Sequence, residues 1–231
     1  MNIELRNLTI ITGDNFSGKS QILRNQIKNN NSFRYINQDT RVDIDVCDGV
    51  KDWFKTIFRT DYIVTPEPSY ALKIISAGLN CKEGELLIVE NPEIGLHPKS
   101  ANKIAKFFTF LANNGVRVLI ETNSTDIVNS ICYEVFRKNI NNSDVVFYNK
   151  TRDNIDKVNV NINGKFVNNK QQLVRYPSGF FDANTDVTDY RTFSNLSNPV
   201  GSLIKRLVND NKVLFANNRV GRLFYNELKK L

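Results

Sequence analysis

Short apolar runs alternate with segments of helical periodicity over the first 150 residues. The runs at 86–89 and 118–120 are entirely apolar, a pattern typical of strands buried on both faces of a parallel sheet. Between them, apolar residues recur at three- and four-residue spacing, as on the buried face of a helix. Strand, helix and strand in this order favour a parallel pair joined by a right-handed crossover. The pattern therefore predicts an α/β fold with a mostly parallel central sheet flanked by helices.

The same patterns predict the remaining elements. Segment 41–46 alternates apolar and polar residues and is predicted as a half-buried strand. Segment 158–167 alternates around Asn163-Gly164 and is predicted as a C-terminal hairpin. Strands are predicted at about 8–12, 33–37, 41–46, 85–90, 116–122 and 144–148, and helices at about 21–27, 50–58, 70–79, 98–114 and 126–138.

A glycine-rich loop follows the first predicted strand and leads into the first predicted helix. Its spacing, G-x-x-x-x-G-K-S, is that of a phosphate-binding loop, and the flanking elements are the context that this motif requires. The glycines let backbone N–H groups turn toward one centre, where the helix N-terminus adds to their attraction for phosphate. Lys19 is expected to reach the β- and γ-phosphates of ATP, and Ser20 to bind Mg²⁺ through its hydroxyl. The predicted nucleotide-binding residues of the loop are Gly13, Asp14, Asn15, Phe16, Ser17, Gly18, Lys19 and Ser20.

A second motif ends a buried strand with an acid. The run 86–89 leads directly into Glu90, which places a carboxylate at the carboxyl edge of a parallel sheet. Ligands of α/β proteins bind at that edge, so Glu90 is expected to lie near a Mg²⁺-nucleotide. Asp43 and Asp45 also share one face, but the solvent side of a strand explains them better than a cation site.

Composition and charge limit which cellular compartment and which partners are expected for this chain. The three cysteines are far apart and lack C-x-x-C spacing, so they predict neither a metal site nor a disulfide framework. No apolar run approaches the roughly 20 residues of a membrane span, and the start lacks the pattern of a signal peptide, which predicts a cytoplasmic protein. The formal charge is +7, of which +5 lies in residues 194–231. This segment predicts contact with DNA or a partner protein, although a solvated helix face is the commoner origin of such an excess.

Four sequence blocks together resemble one family. They are the phosphate loop, 89–98 (V-E-N-P-E-I-G-L-H-P), 121–124 (E-T-N-S) and 176–182 (Y-P-S-G-F-F-D). In this order they resemble the ABC-type ATPases of the OLD/RecF/SMC-like branch, and most closely a bacterial and phage family with I-E-N-P-E-x-H-L-H-P, E-T-H-S and W-P-x-G-F-F-D blocks. The resemblance makes 1–193 a P-loop ATPase domain and 194–231 a basic helical extension. It implies an abbreviated helical subdomain, because the chain between Ser20 and Ser69 is short.

The resemblance implies catalytic roles at the strand ends. Glu90 corresponds to the acid that holds the Mg²⁺ shell, and Asn91 to the glutamate that usually orients the attacking water. Because Asn cannot take a proton, the resemblance implies that Glu93 substitutes or that hydrolysis is slow. Asn123 stands where the family commonly has a histidine that touches the γ-phosphate; it can donate a hydrogen bond but cannot titrate.

The resemblance also implies roles for residues outside these motifs. Ser69 lies about where ABC proteins place the signature serine that reaches across a dimer to the partner's nucleotide. The usual glycines are missing around it, and a simple helix cap is the alternative. Gln38 is the candidate for the Q-loop glutamine. Phe16 replaces a small residue of the phosphate loop and is expected to narrow the site or to stack on the ligand.

These features predict an ATP-binding protein that hydrolyses ATP slowly and acts as a switch in a nucleotide-sandwich homodimer or higher oligomer. Related families act on DNA ends, in repair or in phage defence. The alternative is a regulatory or structural subunit that binds nucleotide without turning it over, which Asn91 and Asn123 favour. A nuclease domain is not expected, because the residues after 193 are too few to hold one.

Overall fold

The protein is described by a computed structural model over residues 3–61, 69–168 and 170–174. Its strands are β1 Leu8–Gly13, β2 Phe33–Ile36, β3 Leu86–Glu90, β4 Arg117–Glu121, β5 Val145–Lys150, β6 Ile155–Val160 and β7 Phe166–Val167. Its helices are α1 Lys19–Asn29, α2 Asp48–Phe58, α3 Tyr70–Leu79, α4 Pro98–Asn113 and α5 Thr125–Phe136, with a 3₁₀ turn at Asn142–Asp144.

The strands of the described chain form one sheet in the order β2-β3-β4-β1-β5-β6-β7. The strands from β2 to β5 in this order run parallel, and β6 and β7 continue the sheet antiparallel. Gly164 takes a φ of 68° in the turn between β6 and β7, a conformation that glycine adopts without strain. The predicted α/β class, the mostly parallel sheet and the C-terminal hairpin are therefore confirmed.

Helices cover both faces of the parallel part of the sheet. On one face α1 packs Ile22 and Leu23 against alternate residues of the strands, including Ile11 and Ile88. On the other face α2, α3, α4 and α5 pack over a larger core that includes Leu87. The central strands β3 and β4 are buried on both faces, which explains why their sequences are apolar without alternation.

One predicted strand is wrong. Residues 41–47 have no regular secondary structure, although their apolar and polar residues alternate. Val42 and Ile44 are partly buried against the core on the side of α2 to α5. An extended segment turns every second side chain to one side whether or not it pairs with a neighbour, so alternation alone did not distinguish the two cases.

The other predicted strands and helices within the described residues are found within a few positions of their expected ends. The short region predicted between the first helix and Ser69 contains β2 and α2. Ser100 of α4 donates its hydroxyl to the carbonyl of Ile57 at 3.2 Å, which connects the end of α2 to α4. The 176–182 block, the predicted boundary at residue 193 and the basic extension 194–231 lie outside the described residues.

Candidate nucleotide site

The loop between β1 and α1 depends on glycine at both ends. Gly13 has a φ of 129°, and a Cβ on it would lie 2.0 Å from the carbonyl oxygen of Lys150 on the neighbouring strand β5. The next residue, Asp14, donates its N–H to that same oxygen at 3.1 Å. Gly18 precedes α1 in a left-handed conformation with a φ of 94°. The loop therefore bends sharply out of β1 and into α1, as a phosphate loop does.

Phe16, in the middle of this loop, combines two unusual features. Its side chain is fully exposed, and its φ of 61° places a non-glycine residue in the left-handed region. This conformation costs an L-residue roughly 1–2 kcal/mol, and no burial of the ring within the described chain offsets the cost. The side chain points to solvent, and its expected role, to narrow the site or to stack on the ligand, stays a prediction.

The strain at Phe16 gives a testable result. Phe16→Gly is expected to be about 1 kcal/mol more stable than Phe16→Ala, because both remove the exposed ring but only glycine removes the steric cost. Urea denaturation of the two variants measures the difference. An Ala variant that is as stable as the Gly variant would show that position 16 is not strained.

Lys19 folds back over the loop from the first turn of α1. Its Nζ donates to the carbonyl oxygens of Gly13 at 2.9 Å and Asp14 at 2.7 Å. Burial lowers the pKa of Lys19, while the charges of Glu121, Asp14 and Glu93 oppose that effect. The loop therefore holds a desolvated cation beside the backbone N–H groups at the start of α1, which together favour a polyanionic ligand.

Ser17 adds a group that lacks a partner. Its Oγ is buried and makes no hydrogen bond within the described residues. A buried hydroxyl without a partner is costly, and such a group in a loop of this shape is suited to a ligand oxygen.

Two carboxylates meet at the carboxyl edge of the sheet, on the face that α1 covers. Glu90 ends β3 directly opposite Glu121, which ends β4, and β4 in turn pairs with β1. Ser20 of α1 donates its hydroxyl to Glu121 Oε2 at 3.3 Å. Burial raises the pKa of Glu121, and the charge of Glu90 raises it further. The strand order thus brings Ser20 and two acids together.

Glu121 was not predicted as a site residue. Its sequence signal is the same as that of Glu90, an acid directly after a fully apolar strand. Only the order of the strands shows that β4, rather than β3, lies next to the strand that carries the phosphate loop.

Glu93 lies on the turn after β3, and both of its carboxylate oxygens are engaged. Oε2 accepts from the hydroxyl of Thr122 at 2.8 Å, and Oε1 accepts from the backbone N–H of Asn123 at 3.0 Å. Asn123 then reaches the phosphate loop, donating its amide to Asn15 Oδ1 at 3.4 Å. A hydrogen-bonded path therefore joins the turn after β3 to the phosphate loop through the end of β4.

Asn91 begins the same turn in a left-handed conformation, with a φ of 45°. Its N–H donates to the carbonyl of Glu121 at 2.8 Å, and its own carbonyl accepts from Ile94 at 3.1 Å. Asn tolerates this conformation better than most residues because of its short polar side chain. An asparagine at this position is therefore compatible with the tight turn.

Gln38 and Ser69 make their hydrogen bonds away from the loop. Gln38 is exposed after β2, and its backbone oxygen accepts from Lys73 Nζ at 3.0 Å. Ser69 caps α3, its hydroxyl accepting from the N–H of Leu72 at 3.4 Å. The residues that the fold brings together are Asn15, Lys19, Ser20, Glu90, Glu93, Glu121 and Asn123.

Several solved structures resemble this chain. One is the ATP-binding subunit of an ABC transporter, at 14% identity over 67% of this chain and 80% of that chain, with a TM-score of 0.42. Another is the ATP-binding cassette of an ABC transporter in its ADP conformation, at 14% identity over 68% and 82%, with a TM-score of 0.38. A third is an archaeal ribosome recycling factor in complex with a ribosomal stalk protein, at 12% identity over 64% and 37%, with a TM-score of 0.44. No family model and no curated protein matches the chain.

Likenesses at this level do not specify a function, so the ligand is inferred from the site itself. Within the described residues, no group of three or more His, Cys, Asp or Glu side chains could hold a metal ion. A hydroxyl and two carboxylates nevertheless supply the oxygen ligands that Mg²⁺ prefers, and Mg²⁺ commonly binds through one or two carboxylates together with substrate phosphates. The donor set therefore fits Mg²⁺ that arrives with a nucleotide, rather than a metal site built by protein alone.

No helix in the described part of the chain combines the length and apolar composition needed to cross a membrane.

Proposed function

We propose that this protein binds ATP with Mg²⁺ at the phosphate loop and hydrolyses it slowly. The observation that supports this most strongly is that Ser20, Glu121 and Glu90 lie close together beside Lys19. A phosphate-binding cation and a set of Mg²⁺ ligands lie at one edge of a parallel sheet, which is where α/β proteins bind nucleotides.

The groups of the loop are expected to bind different parts of the nucleotide. The N–H groups at the start of α1 and the hydroxyl of Ser17 receive phosphate oxygens, and Lys19 exchanges its two loop carbonyls for the β- and γ-phosphates. Ser20 and Glu90 would hold Mg²⁺, and Glu121 accepts a hydrogen bond from the Ser20 hydroxyl. When bound, Mg²⁺ neutralises charge on the β- and γ-phosphates.

Slow hydrolysis follows from the groups at the turn after β3. Asn91 has no proton-accepting group, and Glu93 is the nearest carboxylate in sequence that can take this role. Both oxygens of Glu93 already accept hydrogen bonds, and at least one of these must be released before Glu93 can accept a proton from water. Glu93 is therefore the proposed base of a slow ATPase.

Glu93→Gln tests this role. The amide retains one acceptor but cannot take a proton, so phosphate release from Mg²⁺-ATP is expected to fall at least roughly tenfold. The affinity for ATP is expected to change less than about threefold, because Glu93 does not contact Lys19 or Ser20 directly. Glu83→Gln, an exposed acid before β3, is the matched control and is expected to behave as wild type. Undiminished turnover in Glu93→Gln would remove Glu93 from the mechanism.

A second candidate is a regulatory or structural subunit that binds ATP without hydrolysing it. The engagement of both Glu93 oxygens, together with Asn91 and Asn123 at positions where the resembling families carry ionisable groups, favours it. Tight, Lys19-dependent ATP binding without any phosphate release would select this candidate. Turnover that Lys19→Ala abolishes would exclude it.

The switch is proposed to be a homodimer that encloses the nucleotide. Ser69 caps α3 with its hydroxyl exposed at the helix start, where a second copy could reach it. Gel filtration with Mg²⁺-ATP is expected to show a shift toward a dimer in the wild type and no shift in Lys19→Ala. An elution volume that ATP does not change would contradict the dimer.

The partner is proposed to be DNA, contacted through the basic residues 194–231. The support is the concentration of the positive charge in this segment, since such charge attracts a phosphate backbone. Phosphate release measured with and without double-stranded DNA tests the proposal, and stimulation that weakens as salt increases is the expected result. A rate that DNA leaves unchanged at low salt would favour a protein partner.

A further inference from the structure

Two tyrosines surround Glu90, and no motif of the sequence points to either. Tyr35 lies on β2 opposite Ile88 of β3, so Tyr35 and Glu90 are diagonal neighbours on adjacent strands. Ile88 packs with α1, and Glu90, two residues further along β3, faces the same side. The face therefore carries Tyr35, Glu90 and Glu121 side by side below the N-terminus of α1.

The strand register and the shared face place the hydroxyl of Tyr35 within reach of the Glu90 carboxylate. Asn37 completes the arrangement by donating its side-chain amide to the Tyr35 hydroxyl at 3.4 Å. Burial first, and then the contact with Glu90, raise the pKa of Tyr35 to about 12, so the phenol remains a neutral donor.

Tyr70 fixes the backbone of the same residue from the opposite face. Its ring is buried at the start of α3, and its hydroxyl bonds to the carbonyl of Glu90 and, at 3.2 Å, to that of Ile36. One phenol thus holds the side chain of Glu90 and another holds its main chain. An exposed glutamate would have three free side-chain torsions, and the contact with Tyr35 restricts them before any ligand arrives.

We propose that Tyr35 is a positioning residue that directs the Glu90 carboxylate toward the Mg²⁺ of a bound nucleotide. The proposal rests on the proposed function, because it assigns Tyr35 a role in the same site. Tyr35 does not touch the nucleotide; it acts through Glu90 by holding one carboxylate oxygen and leaving the other oriented along the edge toward Glu121 and Ser20. Tyr35 is therefore expected to affect how much Mg²⁺ strengthens ATP binding, and not how tightly the loop binds the phosphates themselves.

The quantity that isolates this role is the gain in ATP affinity that Mg²⁺ produces. It is the Kd for ATP measured in EDTA divided by the Kd measured with Mg²⁺, both by isothermal titration of the full chain. Tyr35→Phe removes one hydroxyl and retains the ring. It is expected to lower this ratio at least roughly tenfold, the effect of losing one hydrogen bond to a charged group, and to leave the Kd in EDTA within about twofold.

Tyr148→Phe is the matched control. Tyr148 lies on the same face of the sheet, but its hydroxyl donates to the backbone carbonyl of Glu4 at 3.0 Å instead of to a site carboxylate. This variant loses a phenol hydroxyl without changing Glu90, so its ratio is expected to equal that of the wild type. Circular dichroism and thermal melting establish that each variant is folded. If Tyr35→Phe does not fold, Tyr35→Leu replaces it in the experiment. The same fall in the Kd ratio is expected for that variant.

A mutant cycle distinguishes action through Glu90 from a general change of the fold. In a Glu90→Gln chain the ratio is expected to be low already, and adding Tyr35→Phe is expected to lower it no further. A ratio in Tyr35→Phe within twofold of wild type, or an equal fall in Tyr148→Phe, would overturn the role of Tyr35. The proposed function would survive these results as long as wild-type binding still depends on Lys19. Absence of Lys19-dependent ATP binding in the wild type would overturn both.

Discussion

Lys19→Ala is expected to weaken ATP binding at least roughly 100-fold while leaving the protein folded. Among the described residues, the Nζ of Lys19 bonds only to the loop carbonyls of Gly13 and Asp14, so its removal is expected to leave the sheet and α1 intact. The ligand loses charge-assisted hydrogen bonds worth about 1.5–3 kcal/mol each, in a setting where burial strengthens them. Isothermal titration with Mg²⁺-ATP measures the loss directly.

The control for this experiment is Lys28→Ala. Lys28 is exposed in the last turn of α1, so its removal changes the net charge by the same amount without altering the loop. ATP affinity equal to that of the wild type is expected. If the two alanine variants bound ATP equally well, Lys19 would have no special role and the loop would not be the binding site.

Gly13→Ala is expected to cost roughly 3 kcal/mol or more of the free energy of unfolding. Its Cβ would lie 2.0 Å from the carbonyl oxygen of Lys150, which is backbone and cannot move aside without disrupting the pairing of β1 with β5. The φ of 129° adds a conformation that L-residues rarely adopt. Urea denaturation of the variant and the wild type measures the cost.

Gly84→Ala separates the steric clash from the backbone strain. Gly84 also has a positive φ, of 79°, but a Cβ there would have no neighbour within 4 Å. Only the conformational cost of about 1–2 kcal/mol is expected for it. Equal destabilisation of the two variants would mean that the close approach of Gly13 to Lys150 does not constrain the loop.

The sequence was sufficient wherever the decisive information is local. The phosphate loop is read from the spacing of Gly13, Gly18 and Lys19 between a strand and a helix, and the structure places a sharp glycine-dependent bend there. The positions of β3 and β4 follow from their apolar composition, because strands covered on both faces lack polar alternation. These features need no knowledge of which strands become neighbours.

The parts that were missed depend on the order of the strands. Glu121 meets Ser20 because β4 lies between β1 and β3, an arrangement that spacing along the chain does not specify. Tyr35 meets Glu90 because β2 pairs with β3 in one particular register. The error at 41–46 has the same origin, since alternation reports burial on one side and not the presence of a strand partner.

Glu93 shows how a non-local contact changes the meaning of a residue. In the sequence it is a second carboxylate after the strand-ending Glu90, and the resemblance implies that it substitutes as the base or that hydrolysis is slow. In the structure it also links Thr122 and the backbone of Asn123 to the turn after β3. Because Asn123 contacts Asn15, Glu93 is also joined by hydrogen bonds to the phosphate loop.

The most direct test of the account is hydrogen–deuterium exchange of the wild-type chain with and without Mg²⁺-ATP. The amides of residues 14–20 are expected to become protected, because the proposal makes them donors to phosphate, and those of 121–123 are expected to follow through Ser20 and Asn123. The protection is expected to disappear in Lys19→Ala. Protection confined to other segments, or none at saturating ATP, would contradict the claim that this loop is a nucleotide site.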